Sequence, residues 1–222
     1  MTTLAMPRPR RDSGMEGMVA KWYASNTGEM MKEYVDLARR IAPQLTSGSA
    51  VLEVAPGPGY FSIELAKLGN FSITGLDLSH TFVKMAAMKA AEAGFRIDFR
   101  QGSASNMPFP ADSFDFLLCR AAFKNFGEPV VALKEMCRVL KPGGHAVIID
   151  LKGDASPGEI SREVEAMRLS SLNRILTKLI FKKVLLKRAY TEEHFQRMLA
   201  ETAFSNIEIV DSGVGLEISM TK

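Results

Sequence analysis

Cysteine and histidine are scarce in this chain of 222 residues, with two of the first and three of the second. Cys119 and Cys137 form no CxxC pair, and no His/Cys cluster has the spacing of metal ligands. A disulfide framework and a metal site are therefore not expected, and a reducing, cytoplasmic setting is. Both thiols read as small hydrophobes of the core. No apolar run approaches the roughly 20 residues of a membrane span. Arginines at 8, 10 and 11 lack a following apolar stretch, which argues against a secretory signal. The net charge of +3 is too small to call for nucleic acid, and none is expected as a partner. Hydrophobic content of 46% and charged content of 24% are those of an ordinary globular protein, and the length suits one core.

What is present is most concentrated at residues 49–61, Ser-Ala-Val-Leu-Glu-Val-Ala-Pro-Gly-Pro-Gly-Tyr-Phe. A short apolar run ends in a turn rich in glycine and proline, and an amphipathic segment follows. The next apolar run ends at Asp77. Strand, tight turn, helix, strand, acid is the layout of a nucleotide-type cofactor site. The glycines allow close approach to the backbone, and a carboxylate can hold two ribose hydroxyls.

Residues 1–14 read as a mobile tail, and 15–24 and 28–41 as helices ended by Pro43. Strands are expected at 50–54, 71–76, 96–100, 114–119 and 145–151, with helices at 61–68, 79–92 and 129–140 between them. Gly69 and Gly94 are read as helix ends, and Lys141-Pro142-Gly143-Gly144 as a turn. Such alternation predicts a parallel sheet covered on both faces. Residues 162–190 are apolar and basic. A helix from Thr191 and two antiparallel strands, 206–210 and 216–220, close the chain.

The chain resembles the class I S-adenosylmethionine-dependent methyltransferases, in the small-molecule branch similar to the ubiquinone and menaquinone enzymes. The resemblance rests on Val51 to Gly59, Gly75-Leu76-Asp77-Leu78-Ser79, Gln101-Gly102-Ser103-Ala104, Met107-Pro108-Phe109, Phe114-Asp115-Phe116 and Arg138 to Gly144, in that order. It covers about 45–151 well and 191–222 loosely. It implies a single domain over 1–222 with a Rossmann-like, doubly wound α/β sheet of seven strands, the last antiparallel. It also implies lid helices at 15–43 and a helical cap at 152–190. The implied cofactor is S-adenosyl-L-methionine, leaving as S-adenosyl-L-homocysteine, and the implied partner is a small-molecule methyl acceptor.

The resemblance assigns the cofactor to Glu53, Ala55, Pro56, Gly57, Gly59, Asp77, Leu78, Ser103, Ala104 and Arg120. Gly57 and Gly59 would leave room for its methionine part, Asp77 would take the ribose, and Leu78, Ser103 and Ala104 the adenine. Ala55 stands where the family has a third glycine, and a methyl group there calls for an ordinary negative φ. Tyr23, Arg120 and Lys124 are the candidates for lining the reacting centre; no confident general base is legible. His80, His145 and His194 read as surface or capping residues. A nicotinamide fingerprint would need glycine at Ser62. The other reading carried forward is a cofactor-binding regulatory or assembly protein without turnover. For 162–190 a pocket cap is favoured over membrane-surface contact, and a homodimer interface is the third reading.

Overall fold

A computed structural model describes residues 14–27, 31–166 and 186–222, the side chains of 22, 23, 25–27 and 166 excepted. Residues 1–13 of the expected mobile tail therefore lie outside the described residues, as do residues 167–185 of the expected cap.

Helix α1 (Gly17–Thr27) and helix α2 (Met31–Ile41) come first. Then strand and helix alternate: β1 (Ala50–Val54), α3 (Tyr60–Ala66), β2 (Ser72–Asp77), α4 (His80–Glu92), β3 (Asp98–Gln101), β4 (Phe114–Arg120), α5 (Pro129–Val139) and β5 (Leu140–Leu151). Helices α6 (Pro157–Ala166) and α7 (Glu192–Leu199) and strands β6 (Ser205–Asp211) and β7 (Gly215–Thr221) follow.

The strands form one seven-stranded sheet in the order β3-β2-β1-β4-β5-β7-β6. β1 to β5 pair in parallel, and β7 runs antiparallel to both β5 and β6. The expected fold class is thus the observed one. The order reverses between β1 and β4, and a crevice at the carboxyl ends of strands opens at such a reversal.

Alternation along each strand feeds two cores. Leu52 and Val54 of β1 and Leu117 and Cys119 of β4 join a cluster with Leu133 and Met136 of α5 and Phe195 of α7. Val51, Phe116 and Leu118 face the other way, against Leu37 and Ile41 of α2 and Phe61 and Leu65 of α3. Helix α2 forms because Tyr34, Leu37, Ala38 and Ile41 recur on one stripe, and all four are buried. Helix α4 starts at Ser79, whose hydroxyl accepts from the Phe82 N–H at 3.1 Å, and the chain leaves it through Gly94 at φ +81°.

Two turn readings change. Gly69 is not a left-handed cap; a side chain there would meet the Phe71 ring at 2.5 Å, so glycine makes room for packing. Lys141 to Gly144 does not separate α5 from a strand at 145. Strand β5 already begins at Leu140, and the four residues bulge between the pairs Phe114–Leu140 and Phe116–His145. Lys222 closes the bulge: its carbonyl accepts from Gly143 N–H and its N–H donates to Gly144 O, both at 3.0 Å.

Beyond β5 the chain is pinched. Lys152 bridges in parallel to Tyr190, and Gly153 N–H donates to the Tyr190 carbonyl at 3.0 Å. The buried Lys152 ammonium binds Glu159 of α6 at 2.8 Å and Asp211 of β6 at 2.5 Å.

Candidate cofactor site and acceptor crevice

The turn after β1 is built by contacts from β2. Ala55 donates its N–H to the Leu76 carbonyl at 2.7 Å and takes φ +57°. This corrects the expectation of a negative φ. The turn needs a left-handed residue here, and alanine accepts it at a cost of about 1–2 kcal/mol. Gly57 is also left-handed, at φ +54°, and its N–H donates to Asp77 Oδ2 at 3.0 Å. Gly59 is left-handed for a different reason from the one expected. A side chain on it would lie 2.9 Å from the Ala86 methyl and 3.0 Å from the Phe99 ring. Glycine there lets α4 pack against the turn rather than opening room for a ligand. Pro56 through Gly59 are all buried.

Two carboxylates flank this turn. Asp77 is 7% exposed and receives the Ser79 N–H on Oδ1 at 2.8 Å as well as Gly57. Burial raises its pKa, the two amides oppose that, and the nearby Glu16 charge adds to it. Glu53 is 3% exposed and accepts from the Ser62 N–H at 3.1 Å and the Ser62 hydroxyl at 2.5 Å. Burial pushes its pKa up to about 7, against the pull of Ser62 and Arg120 and with the push of Asp77. Leu78 is half-buried, and its carbonyl accepts from Gln101 Nε2 at 3.2 Å. Ser103 is half-buried and takes the Ser105 N–H on its hydroxyl at 3.1 Å, while Ala104 packs against the core.

The crevice continues over β4 and β5. Ala121, one residue past β4, is the second left-handed alanine of the site, at φ +57°. The Arg120 guanidinium lies 4.6 Å over the Tyr34 ring and pairs with Glu33 of α2. Lys124 donates from Nζ to Asp150 Oδ1 at 2.7 Å and to the Ala121 carbonyl at 2.6 Å. Its N–H donates to Asp150 Oδ2 at 2.8 Å. That pair is buried, with side-chain exposures of 8% and 2%. It ties the loop after β4 to the end of β5.

Residues 52–148 match the family model described as Methyltransferase domain. The match takes in less than half of the chain. Among the relatives, the demethylmenaquinone methyltransferase of Deinococcus radiodurans is 38% identical over 107 residues, covering 48% of this chain and 44% of that protein. The demethylmenaquinone methyltransferase of Bacillus subtilis is 34% identical over 122 residues, covering 54% and 52%. The matches thus span about half the length of these curated relatives. Among solved structures, a proposed S-adenosyl-L-methionine-dependent methyltransferase of Methanococcus maripaludis superposes with a TM-score of 0.75 at 25% identity, covering 96% of this chain and 97% of that one. The [4+2]-cyclase SpnF shares the fold at a TM-score of 0.66 and 19% identity, covering 99% of this chain and 87% of its own.

Around the crevice the expected site residues divide into groups. Glu53, Ala55, Pro56, Gly57, Asp77, Leu78 and Ser103 gather at the ends of β1 to β3, and Gly59 turns away toward α4. Arg120 and Lys124 reach the crevice but are already engaged by Glu33 and Asp150. The side chain of Tyr23 lies outside the described residues. Asp150 and Ser62 were missed. Asp150 had a signal, since an acid ends the apolar run of β5 much as Asp77 ends that of β2. His194 is 4% exposed, not on the surface. Its Nδ1 meets the Thr191 N–H at 3.2 Å in a capping box for α7, and Nε2 has no partner among the described residues.

Proposed function

We propose that the chain moves a methyl group from S-adenosyl-L-methionine to a small-molecule acceptor and releases S-adenosyl-L-homocysteine. The observation that carries the reading is the buried turn Pro56–Gly59, locked by the Gly57–Asp77 bond beside the reversal of strand order. The residues present fit the cofactor. Asp77 spends two acceptor sites on backbone amides, and a carboxylate has about four, so two remain for ribose hydroxyls. Glu53 is a buried acid held near neutrality, suited to a cationic amino group. Leu78 and Ala104 offer apolar surface to a planar base.

When bound, the sulfonium supplies an electrophilic methyl group. The chain's own work is positioning. Asp77 and the turn amides fix one end of the ligand. Arg120, held by Tyr34 and Glu33, places a cation near Glu53. The Lys124–Asp150 pair sets the floor between β4 and β5. Both cations are engaged, so neither is a free general base. Residues 15–43 serve as the lid region and 152–190 as the cap, and the buried, unpaired cysteines suit a reducing cytoplasm. The demethylmenaquinone enzymes support a hydroquinone-like ring as the first acceptor class to try.

A second reading is a cofactor-binding protein without turnover. One observation favours keeping it: neither Arg120 nor Lys124, the candidates whose side chains are described, is a free base. The nicotinamide reading loses ground because Ser62, at its third-glycine position, is fully buried and donates to Glu53. The experiment is calorimetry with S-adenosylhomocysteine and NADH, followed by product detection over a panel of ring acceptors. Binding with transfer supports the enzyme; binding without any product supports the second reading; NADH binding alone rejects both.

A further inference from the structure

Tyr190 carries, beside the end of β5, a hydroxyl that the fold does not use. The residue is 5% exposed. Its ring is wedged among Phe123, Phe195 and His194, with centroids 5.7, 5.9 and 6.1 Å away. Its backbone is pinned by the Lys152 bridge and by the Gly153 N–H. Nothing among the described residues hydrogen-bonds its hydroxyl, yet that hydroxyl is not sealed in. His194 Nε2 is the one side-chain polar atom among the described residues that is both enclosed and unpartnered. The Tyr190 hydroxyl therefore keeps an opening. A tyrosine buried this deeply ordinarily has a partner for its O–H, and leaving one without is costly.

Burial, and after it the Asp150 charge, push the Tyr190 pKa up, so the hydroxyl keeps its proton and acts as a donor. Lys124 balances Asp150 through their 2.7 Å bond. Phe123, with the half-buried Phe126 tilted against it at 5.3 Å, adds aromatic faces. A donor, aromatic faces and a balanced ion pair suit an uncharged ring that bears an oxygen. They do not suit an ammonium, which has no lone pair to offer the hydroxyl, or a carboxylate, which Asp150 would repel. We propose that Tyr190 is a specificity-determining residue for the acceptor, its hydroxyl donating a hydrogen bond to an oxygen on a phenolic or hydroquinone-like ring. The inference rests on the methyl-transfer reading given above and adds to it the group that grips the acceptor. As a donor, Tyr190 orients the ring and takes no proton from it.

The test is equilibrium dialysis of the full chain, saturated with S-adenosylhomocysteine, against two probes of similar shape: 2-naphthol, and 2-methylnaphthalene, which lacks the oxygen. The wild type should hold 2-naphthol about tenfold more tightly, the worth of one net hydrogen bond. Tyr190→Phe should bind the two equally, with its affinities for 2-methylnaphthalene and S-adenosylhomocysteine unchanged. Its melting temperature should not fall, because the hydroxyl has no partner in the fold to lose. A wild type that binds neither probe or shows no preference, or a variant that keeps the preference, overturns the role of Tyr190 while cofactor binding stands. A lower melting temperature in the variant overturns it too, because the hydroxyl would then be bonded within the fold. A wild type that binds no S-adenosylhomocysteine sinks the cofactor reading itself, and this inference with it.

Discussion

Glu53→Gln should make the protein more stable at pH 8 and leave it unchanged at pH 4.5. The buried Glu53 carboxyl has its pKa raised from 4.5 to about 7. Between those values the folded state keeps a proton that the unfolded chain has shed. Stability from this group is therefore full below pH 4.5 and lost as the pH rises through 7. The rise corresponds to about 3 kcal/mol, at roughly 1.4 kcal/mol per pH unit. Glutamine mimics the protonated acid and still offers an oxygen to the Ser62 N–H and hydroxyl. It should recover up to about 3 kcal/mol at pH 8, or about 5–10 °C in melting temperature for a chain of this size. Thermal and urea unfolding of both proteins at pH 4.5, 6 and 8 give the two curves. A constant gap at every pH would refute the reasoning, because it would place the effect in packing and not in ionisation. The same variant tests the ligand. A cationic amino group beside Glu53 draws its pKa back down, so S-adenosylmethionine binding near pH 6 should release protons in the wild type. That release, read by calorimetry in buffers of different ionisation heat, should vanish in Glu53→Gln.

Asp77→Ala removes a charged acceptor from the Gly57 and Ser79 amides as well as from the ligand, so it should cost roughly 2–4 kcal/mol of folding stability in addition to cofactor affinity; unfolding curves matching the wild type would mean the turn is held elsewhere. Ala55→Gly relieves a left-handed alanine but loosens the unfolded chain, so it should be neutral or stabilising by up to about 1 kcal/mol; a clear loss in urea unfolding would show that the alanine methyl packs productively. Lys124→Met leaves Asp150 buried and unpaired, and should destabilise by about 3–5 kcal/mol, with Asp150→Asn in the same chain restoring part of it. Additive losses in that double variant, measured by thermal unfolding, would show that the two residues act independently.

The sheet was legible because buried parallel strands leave apolar runs: Phe116–Cys119 is continuous, and Val51–Val54 is broken only by Glu53. Local turn chemistry was less decisive. Lys-Pro-Gly-Gly suits a bulge as well as a turn, and only the partner Lys222 makes it a bulge. Ala55 carries no local sign of a positive φ; the Leu76 carbonyl, in the neighbouring strand, fixes it. Gly59 looked like a ligand glycine because the helix that needs it, through Ala86, lies far along the chain. The acids and glycines nearest the turn were readable from order and spacing. Arg120 and Lys124 pair with Glu33 and Asp150, which come from other elements, and no spacing rule joins them. His194 read as a surface or capping residue; its ring does close the cap of α7, and it goes inside with the helix it starts.

The neck at Lys152 and Tyr190 has an evolutionary consequence. The chain leaves the sheet after Lys152 and meets it again at Tyr190, at one narrow, well-bonded joint. Lys152 anchors that joint to Glu159 of α6 and to Asp211 at the end of β6, and the Gly153–Tyr190 bond fixes where the chain re-enters. Lengthening a segment whose ends are already held together is inexpensive, about 0.6 kcal/mol for each doubling. Whole stretches can thus be exchanged, grown or shortened there while the strand ends below keep their register. A lineage can then trade this one graft without disturbing the turn after β1.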